Sequence, residues 1–267
     1  MRSALRHHIK RAASNFGLEV MTPRGRQDLE RGNYTVIDEY IRLLARTRAV
    51  RLSDNPARTA LLSKLVGTGV GEGSHLIACL AAVRDLPGDV CECGVGSGAT
   101  SALLANELRG SGKVLWLYDT FAGLPSPTVE DELIDDIDHL GSMSAYTGRM
   151  SHPEVEMRGR MKELGIDPAA FRVMPGLFDT TITADRLPWQ VCFVYVDFDF
   201  YAPIKAALEK LSPILTPGGV IIVDDYGFFS KGAQTAVDEF LASHTDLFEI
   251  EVPDYCADHF AILRRVR

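Results

Sequence analysis

VCFVYVDFDFYAP, residues 191–203, is the stretch that decides the fold class. Its first six residues are all apolar or aromatic, which is typical of a strand that is buried on both faces of a sheet. Two carboxylates, Asp197 and Asp199, follow directly. Strand alternation predicts that both point the same way, with Phe198 opposite. Because doubly wound sheets bind ligands at the carboxyl ends of their strands, the stretch predicts a central strand that delivers two acids to a ligand crevice.

Strand-like and helical segments alternate on both sides of this stretch. Further strand-like runs cover residues 88–95, 113–121, 171–176 and 220–226, and helical spacing covers 97–110, 152–166, 202–215 and 231–244. The last two strand-like segments, 248–253 and 259–266, have no helix between them. The order predicts an α/β fold with a doubly wound, mostly parallel sheet and an antiparallel edge strand.

The chain has no linker-like composition, so we expect one domain over residues 88–267 with a helical N-terminal extension over residues 1–87. The extension favours a homo-oligomer. Residues 122–150 are a long irregular stretch, acidic in the middle, and we interpret them as a lid over the crevice.

Bulk composition excludes several classes of protein. A net charge of −8 argues against nucleic-acid binding, which needs a basic surface. No apolar run reaches the ~18 residues of a membrane span, and the basic start lacks the apolar core of a secretory signal. The five cysteines are an odd number, and Cys91, Cys93 and Cys192 lie in strand-like runs. We therefore expect reduced, buried thiols and a cytoplasmic protein.

A glycine loop, residues 92–98 with the sequence ECGVGSG, joins the first strand of the domain to its helix. With Ala99 the loop matches the G-x-G-x-x-A pattern of dinucleotide sites. Its G-x-G-x-G spacing is also common in enzymes that use S-adenosylmethionine (SAM). Glu92 precedes the first glycine by two residues, and a carboxylate there suits a cationic ligand better than a pyrophosphate. Asp119 ends the next strand, where an acid can bind ribose hydroxyls of either ligand.

Four aspartates follow two strand-like runs, namely Asp197, Asp199, Asp224 and Asp225. If the two strands are neighbours, their carboxylates converge and repel one another unless a cation lies between them. A hard divalent ion such as Mg²⁺ or Ca²⁺ prefers oxygen ligands of this kind. The alternative for a single strand-end aspartate is a helix cap, which Asp199 could form for the helix near Pro203.

Six motifs in order resemble the macrocin O-methyltransferase family, namely ECGVGSG, LYDTFAGLP, PGLFDT, VDFDFY, LSPILTPGGVIIVDDYG and AVDEF, spanning about residues 88–245. The resemblance implies the SAM-dependent methyltransferase fold, SAM and Mg²⁺ as cofactors, and methylation of a sugar hydroxyl on a natural product. The chain departs from the family pattern at Gly96-Ser97, where a bulkier loop is usual, and at Phe198, where Gly is usual. It is also one residue shorter after PGLF.

The resemblance also implies roles for individual residues. The metal ligands would be Asp197, Asp224 and Asp225, and the general base would be Asp199. Independently of the resemblance, His139 in the predicted lid is a second candidate for the base. The cofactor-binding residues would be Glu92, Gly94, Gly96 and Ser97 at the methionine end, Asp119 and Thr120 at the ribose, and Phe178 and Asp179 near the adenine.

The resulting hypothesis is a SAM- and metal-dependent O-methyltransferase of a small-molecule glycoside, with no nucleic-acid or membrane partner. A catechol-like diol is the alternative acceptor, because metal assistance works there too. Two rivals belong to other classes, a nicotinamide-dependent oxidoreductase and a non-catalytic SAM-binding protein.

Overall fold

The computed structural model describes residues 23–253 and 259–266. Within them, seven strands form one sheet in the order β3-β2-β1-β4-β5-β7-β6. The strands are β1 (Asp89–Cys93), β2 (Leu115–Asp119), β3 (Phe171–Pro175), β4 (Val191–Val196), β5 (Leu215–Val223), β6 (Phe248–Glu251) and β7 (Ala261–Arg265). Strands β1 to β5 run parallel, whereas β7 is antiparallel to both β5 and β6. The predicted mostly parallel sheet with an antiparallel edge is confirmed.

Helices cover both faces of this sheet. They are α1 (Pro23–Thr47), α2 (Arg58–Leu62), α3 (Val70–Val83), α4 (Ala99–Glu107), α5 (Glu154–Glu163), α6 (Phe178–Thr181), α7 (Tyr201–Leu211) and α8 (Lys231–Ser243). One apolar cluster joins the sheet to α3, α4 and α5, and a second joins the opposite face to α7 and α8. The sheet is therefore doubly wound, as the alternation of segments predicted.

Strand β4 lies in the middle of the sheet, hydrogen-bonded in parallel to β1 and β5. All six of its side chains are completely buried. Val194 and Val196 belong to one apolar cluster, and Phe193 and Tyr195 belong to the other. Burial on both faces explains why the run shows no alternation of apolar and polar residues.

The described part of the region before β1 is helical, as predicted, and it packs onto the sheet. Helix α3 contacts β4 and β5. Helix α2 is tied to α4 by a buried ion pair, in which Arg58 donates to both carboxylate oxygens of Glu107 at 2.6 and 2.8 Å. Since both partners are buried, this pair fixes α2 at one position on the domain.

The predicted lid, residues 122–150, is irregular apart from one 3₁₀ turn, Met143–Tyr146. It packs on the domain through an apolar cluster that includes Tyr146, Phe200 and Phe229. The buried carboxylate of Asp131 adds polar attachment, because it accepts hydrogen bonds from groups on the lid and on the domain. The segment is thus packed against the residues that follow β4 and β5.

Among the described residues, no helix is both long enough and apolar enough to cross a bilayer. Cys79, Cys91, Cys93 and Cys192 are buried and form no disulfide, as expected, and Cys256 lies outside the described residues.

Candidate active site

A cavity of about 370 Å³ lies at the carboxyl ends of β1, β2, β4 and β5. Its walls come from residues 66–68 before α3, the glycine loop with the start of α4, the strand ends with the residues that follow them, the lid, and His152. Of the sequence-predicted site residues, those that line it are Gly94, Gly96, Ser97, Asp119, Thr120, Phe178, Asp197, Asp199, Asp224 and Asp225.

The glycine loop is held in place from two sides. Gly94 has a φ of +93°, and a Cβ on it would lie 1.7 Å from the Asp197 carbonyl oxygen, so only glycine fits here. On the other side, one carboxylate oxygen of Asp119 accepts hydrogen bonds from the Val95 and Gly96 backbone N–H groups at 2.7 and 2.9 Å. The loop therefore sits in a fixed position between the ends of β2 and β4.

Two polar residues extend this part of the wall. The Ser97 carbonyl accepts a hydrogen bond from the Arg160 guanidinium at 2.8 Å, and the Thr120 hydroxyl donates to the Gly123 carbonyl at 3.1 Å. The structure thus brings Ser97 and Thr120 together with Gly94, Gly96 and Asp119, and their binding of a cofactor stays a prediction.

Glu92 lies elsewhere, because its position on β1 directs it toward α4 rather than into the cavity. It is completely buried, the Thr100 hydroxyl donates to one of its oxygens, and the other oxygen has no hydrogen-bond partner among the residues that the structure describes. Burial raises the pKa of Glu92 to about 8. We expected Glu92 to line the methionine end of the cavity, but its side chain lies beneath the loop instead.

Phe178 and Asp179, the predicted adenine neighbours, are adjacent at the start of α6, but their side chains lie in different environments. The Phe178 ring is buried in the cavity wall, with its centroid 4.9 Å from that of Tyr118 and 5.7 Å from that of Phe198. Asp179 is exposed, outside the cavity, and accepts a hydrogen bond from the Thr180 N–H at 2.9 Å. Phe178 is the buried residue of this one-turn helix, whereas Asp179 is exposed, so the two side chains do not line the same wall.

His139, the second base candidate, is exposed on the lid and outside the cavity wall. The histidine that does line the cavity is His152, beside Gly96, and its ring lies 3.1 Å from the Glu156 carboxylate. The sequence offered no signal for it, since it lies at the start of a segment with ordinary surface-helix composition.

All four aspartates of the predicted cluster reach the cavity. Strand β4 ends at Val196, and Asp199 adopts a left-handed conformation with a φ of +61°. The strand alternation predicted for residues 197–199 is therefore wrong, and Phe198 lines the same cavity as its two neighbours. Asp225 is also left-handed, with a φ of +57°. Such backbone geometry costs free energy and clusters at functional sites.

The aspartate carboxyls lie close enough to perturb one another. Burial, followed by repulsion from Asp224, raises the pKa of Asp197 well above its usual range, and burial with the same kind of repulsion raises the pKa of Asp199 and Asp225. Asp199 and Asp225 also share a hydrogen bond. The Tyr195 hydroxyl lies 3.1 Å from Asp224 and 3.3 Å from Asp197.

One further carboxyl belongs to this group, and the sequence analysis missed it. Glu72, in the first turn of α3, is 1% exposed and lies within hydrogen-bonding reach of the Asp224 carboxyl and the Tyr195 hydroxyl. The available signal was that Glu72 is the only acidic or basic residue in the otherwise small and apolar stretch 70–83, apart from His75.

Within the described part of the chain, no group of three or more His, Cys, Asp or Glu side chains is arranged so that it could hold a metal ion. The donor set itself consists of buried carboxylate oxygens, the type that Mg²⁺ and Ca²⁺ prefer.

Residues 68–260 match the model of the macrocin O-methyltransferase (TylF) family. The chain belongs to this family. The family segment covers the whole sheet up to the start of β7, together with α3 and the cavity.

Two curated relatives are O-methyltransferases by name, and the name of the first includes a rhamnosyl group. An 8-demethyl-8-(2,3-dimethoxy-alpha-L-rhamnosyl)-tetracenomycin-C 4'-O-methyltransferase from Streptomyces olivaceus is 30% identical over 144 residues, which is 53% of this chain and 54% of that protein. Mycinamicin III 3''-O-methyltransferase from Micromonospora griseorubida is 30% identical over 187 residues, which is 66% of this chain and 70% of the relative. The matched segment thus spans about half the length of the first relative.

Among solved structures, the O-methyltransferase NovP superposes with a TM-score of 0.65 at 22% identity, covering 87% of this chain and 99% of NovP. At that identity the likeness shows the fold. This macrocin O-methyltransferase family member therefore has the predicted fold of the SAM-dependent methyltransferases.

Proposed function

We propose that this chain is an O-methyltransferase that transfers the methyl group of SAM to a sugar hydroxyl of a natural-product glycoside. The observation that carries the proposal is one cavity in which the glycine loop and Asp119 lie beside four aspartates. Family membership supports methyl transfer over the hydride transfer of a nicotinamide enzyme. The names of the two curated relatives support a sugar hydroxyl over a catechol-like diol.

The proposed cofactor site is the half of the cavity beside the glycine loop. SAM carries an ammonium and a sulfonium and has no phosphate, so it suits a wall that contains Asp119 and Asp197. One oxygen of Asp119 orders the loop through Val95 and Gly96, and the other, which accepts from the Phe121 N–H, has a second lone pair for a ribose hydroxyl. Phe178 supplies an apolar surface for the adenine ring.

The proposed second cofactor is Mg²⁺ or another divalent cation, held by Asp197, Asp224 and Asp225. The donor chemistry fits, because Asp224 is buried, Asp197 and Asp225 are half-buried and close enough to repel, and none of the described residues lining the cavity is Lys or Arg. A bound ion would lower the pKa of an acceptor hydroxyl and orient it.

Asp199 is the proposed general base. It lies in the cavity wall beside Asp197 and shares a hydrogen bond with Asp225, so its carboxyl is held in position toward the acids that would hold the ion. Positive charge near these acids stabilises the ionised form of Asp199, which is the form that takes the acceptor proton. Methyl transfer is an in-line displacement, so Asp199 must receive the proton on the side away from the sulfonium.

The charge of the cavity also bears on the form of the acceptor. Five of the described lining residues are Asp, and the only cationic candidate among them is His152. A sugar that carries a nucleoside diphosphate would bring negative charges into this wall. An uncharged sugar already joined to its aglycone fits better, and the apolar lining residues Leu124, Ile137 and Met150 offer it contact area.

Titration calorimetry and a methylation assay test the proposal together. We expect binding of S-adenosylhomocysteine and no binding of NAD, and methylation of neutral glycosides that EDTA abolishes. Asp199→Asn should lower kcat by about 10²- to 10⁴-fold, the usual contribution of a general base. Asp246→Asn, an exposed aspartate far along the chain from the cavity residues, is the matched control. Survival of methylation in both Asp199→Asn and Asp224→Asn would exclude the proposed site.

A homo-oligomer and a cytoplasmic location stay predictions. Light scattering coupled to size-exclusion chromatography measures the first directly.

A further inference from the structure

Glu72 is a buried carboxylate that lies among other acids and has no cationic partner among the described residues. Glu107 is the instructive comparison, because both of its carboxylate oxygens accept hydrogen bonds from the buried Arg58. Glu72 is 1% exposed, yet the two charged groups that act on it most strongly, Asp224 and Asp197, are both acidic. A buried carboxylate placed among acids is costly unless something positive reaches it.

The need for a positive group can be assigned to one oxygen of Glu72. Its Oε1 is buried and has no hydrogen-bond partner among the described residues, while the rest of the carboxyl lies within reach of Asp224 and Tyr195. Glu72 also sits in the first turn of α3, but no side-chain hydrogen bond caps the backbone there. A purely structural cap therefore does not account for the unpartnered oxygen.

The position of Glu72 relative to the aspartates indicates which function it could have. Asp224 follows β5 and Asp197 follows β4, and Tyr195 lies between them with its hydroxyl near both carboxyls. Helix α3 packs on these two strands, so Glu72 in its first turn reaches these carboxyls from a helix and not from a strand end.

We propose that Glu72 is a further carboxylate of the metal centre, which contributes an oxygen to the binding of the divalent cation beside Asp224. This inference rests on the proposed metal dependence. It makes the helical region before β1 a part of the catalytic cavity and not only an extension of the domain.

Mn²⁺ binding to the full-length protein, measured by titration calorimetry in the absence of substrate, tests the inference. Glu72→Gln keeps the shape of the side chain and removes its charge, and we expect it to weaken Mn²⁺ binding by about 10- to 100-fold. Binding of S-adenosylhomocysteine should be unchanged. Glu107→Gln is the matched control, since it removes a buried carboxylate of α4 and should leave the Mn²⁺ affinity at the wild-type value.

Thermal unfolding with EDTA and with Mn²⁺ separates a metal-binding role from a structural one. With EDTA, Glu72→Gln should be at least as stable as the wild type, because one of three mutually repelling acids is gone. With Mn²⁺ the wild type should gain more in Tm than the variant. A merely structural Glu72 gives the opposite pattern, a less stable variant with the same gain from Mn²⁺.

The possible outcomes keep this inference distinct from the proposed function. If the wild type binds Mn²⁺ and Glu72→Gln binds it equally well, the inference is wrong and the metal dependence stands. If the wild type binds no divalent ion, both are wrong. Should Glu72→Gln lose its near-UV circular dichroism, Glu72→Asp replaces it, because the shorter side chain keeps the charge and withdraws the oxygen; an unchanged affinity in that variant overturns the inference equally.

Discussion

Replacement of Asp131 by Ala should release the lid from the domain without unfolding the sheet. The Asp131 carboxylate is 5% exposed and accepts four hydrogen bonds. Two come from Thr128 within the lid, at 2.7 and 3.0 Å. The other two come from the domain, from the Tyr201 backbone N–H at 2.8 Å and from the Ser230 hydroxyl at 3.0 Å. Only the bonds to the domain are lost when the lid opens.

The size of the effect follows from those two bonds. A hydrogen bond to a charged group contributes roughly 1.5 kcal/mol or more, so two of them contribute at least about 3 kcal/mol to keeping the lid closed. Because about 1.4 kcal/mol corresponds to a factor of ten, Asp131→Ala should raise the population of the open lid by about 100-fold.

Hydrogen exchange read by mass spectrometry measures this directly. The Ile134 N–H donates to the Phe229 carbonyl across the junction, so peptides that contain it should exchange about 100-fold faster, whereas peptides of β4 should not change. Asp135→Ala, an exposed aspartate of the same segment, is the control. Less than a threefold acceleration in the lid, or equal acceleration in β4, would refute the reasoning.

A substitution at Gly232 should open the lid without any change to Asp131. A Cβ on Gly232 would lie 1.9 Å from a carboxylate oxygen of Asp131. Gly232→Ala should therefore displace the carboxylate and accelerate lid exchange in the same peptides, even though Asp131 itself is intact.

Two further predictions concern the cavity floor and the back of the sheet. Gly94→Ala should weaken binding of S-adenosylhomocysteine at least about 10-fold, because its Cβ would meet the Asp197 carbonyl at 1.7 Å. Gly110 is also left-handed but lies in open space, so Gly110→Ala should cost only about 1–2 kcal/mol of stability and should not change the affinity. Burial, aided by Arg48, lowers the pKa of His75 from 6.5 to about 4, so its contribution to stability is complete above pH 6.5 and is lost as the pH falls toward 4, at most about 3 kcal/mol. Urea unfolding of wild type and His75→Asn between pH 4.5 and 7.5 should show the difference shrinking as the pH falls; a constant difference would contradict the assignment.

The fold could be predicted from the sequence because its central strands are buried on both faces. The continuous apolar run of β4 and the helical spacing around it admit few architectures, and the order of elements then fixes a parallel sheet. The antiparallel edge formed by β6 and β7 could be predicted because no helical segment lies between them. Local pattern carried this information, so tertiary detail was not needed.

The site was predicted less completely, because side-chain direction at strand ends depends on backbone geometry that a pattern does not encode. Periodicity predicted that Phe198 would point away from Asp197 and Asp199, yet the strand stops at Val196 and all three line the cavity. The position of Glu92 differs from the predicted one for the opposite reason. It lies inside regular strand geometry, which directs it beneath α4 and away from the glycine loop.

The cavity residues that the sequence did not identify individually belong to the part of the cavity that we propose distinguishes acceptors. The glycine loop and the strand ends form one side of the cavity, and their positions are set by the sheet. The opposite side comes from residues 66–68 and from the lid residues Leu124, Ile137 and Met150, which no sheet register controls. These segments contact the domain through specific tertiary bonds, such as those of Asp131, and not through a repeating pattern. Acceptor choice in this family member should therefore change with substitutions in these two segments, while the chemistry that depends on the aspartates stays the same.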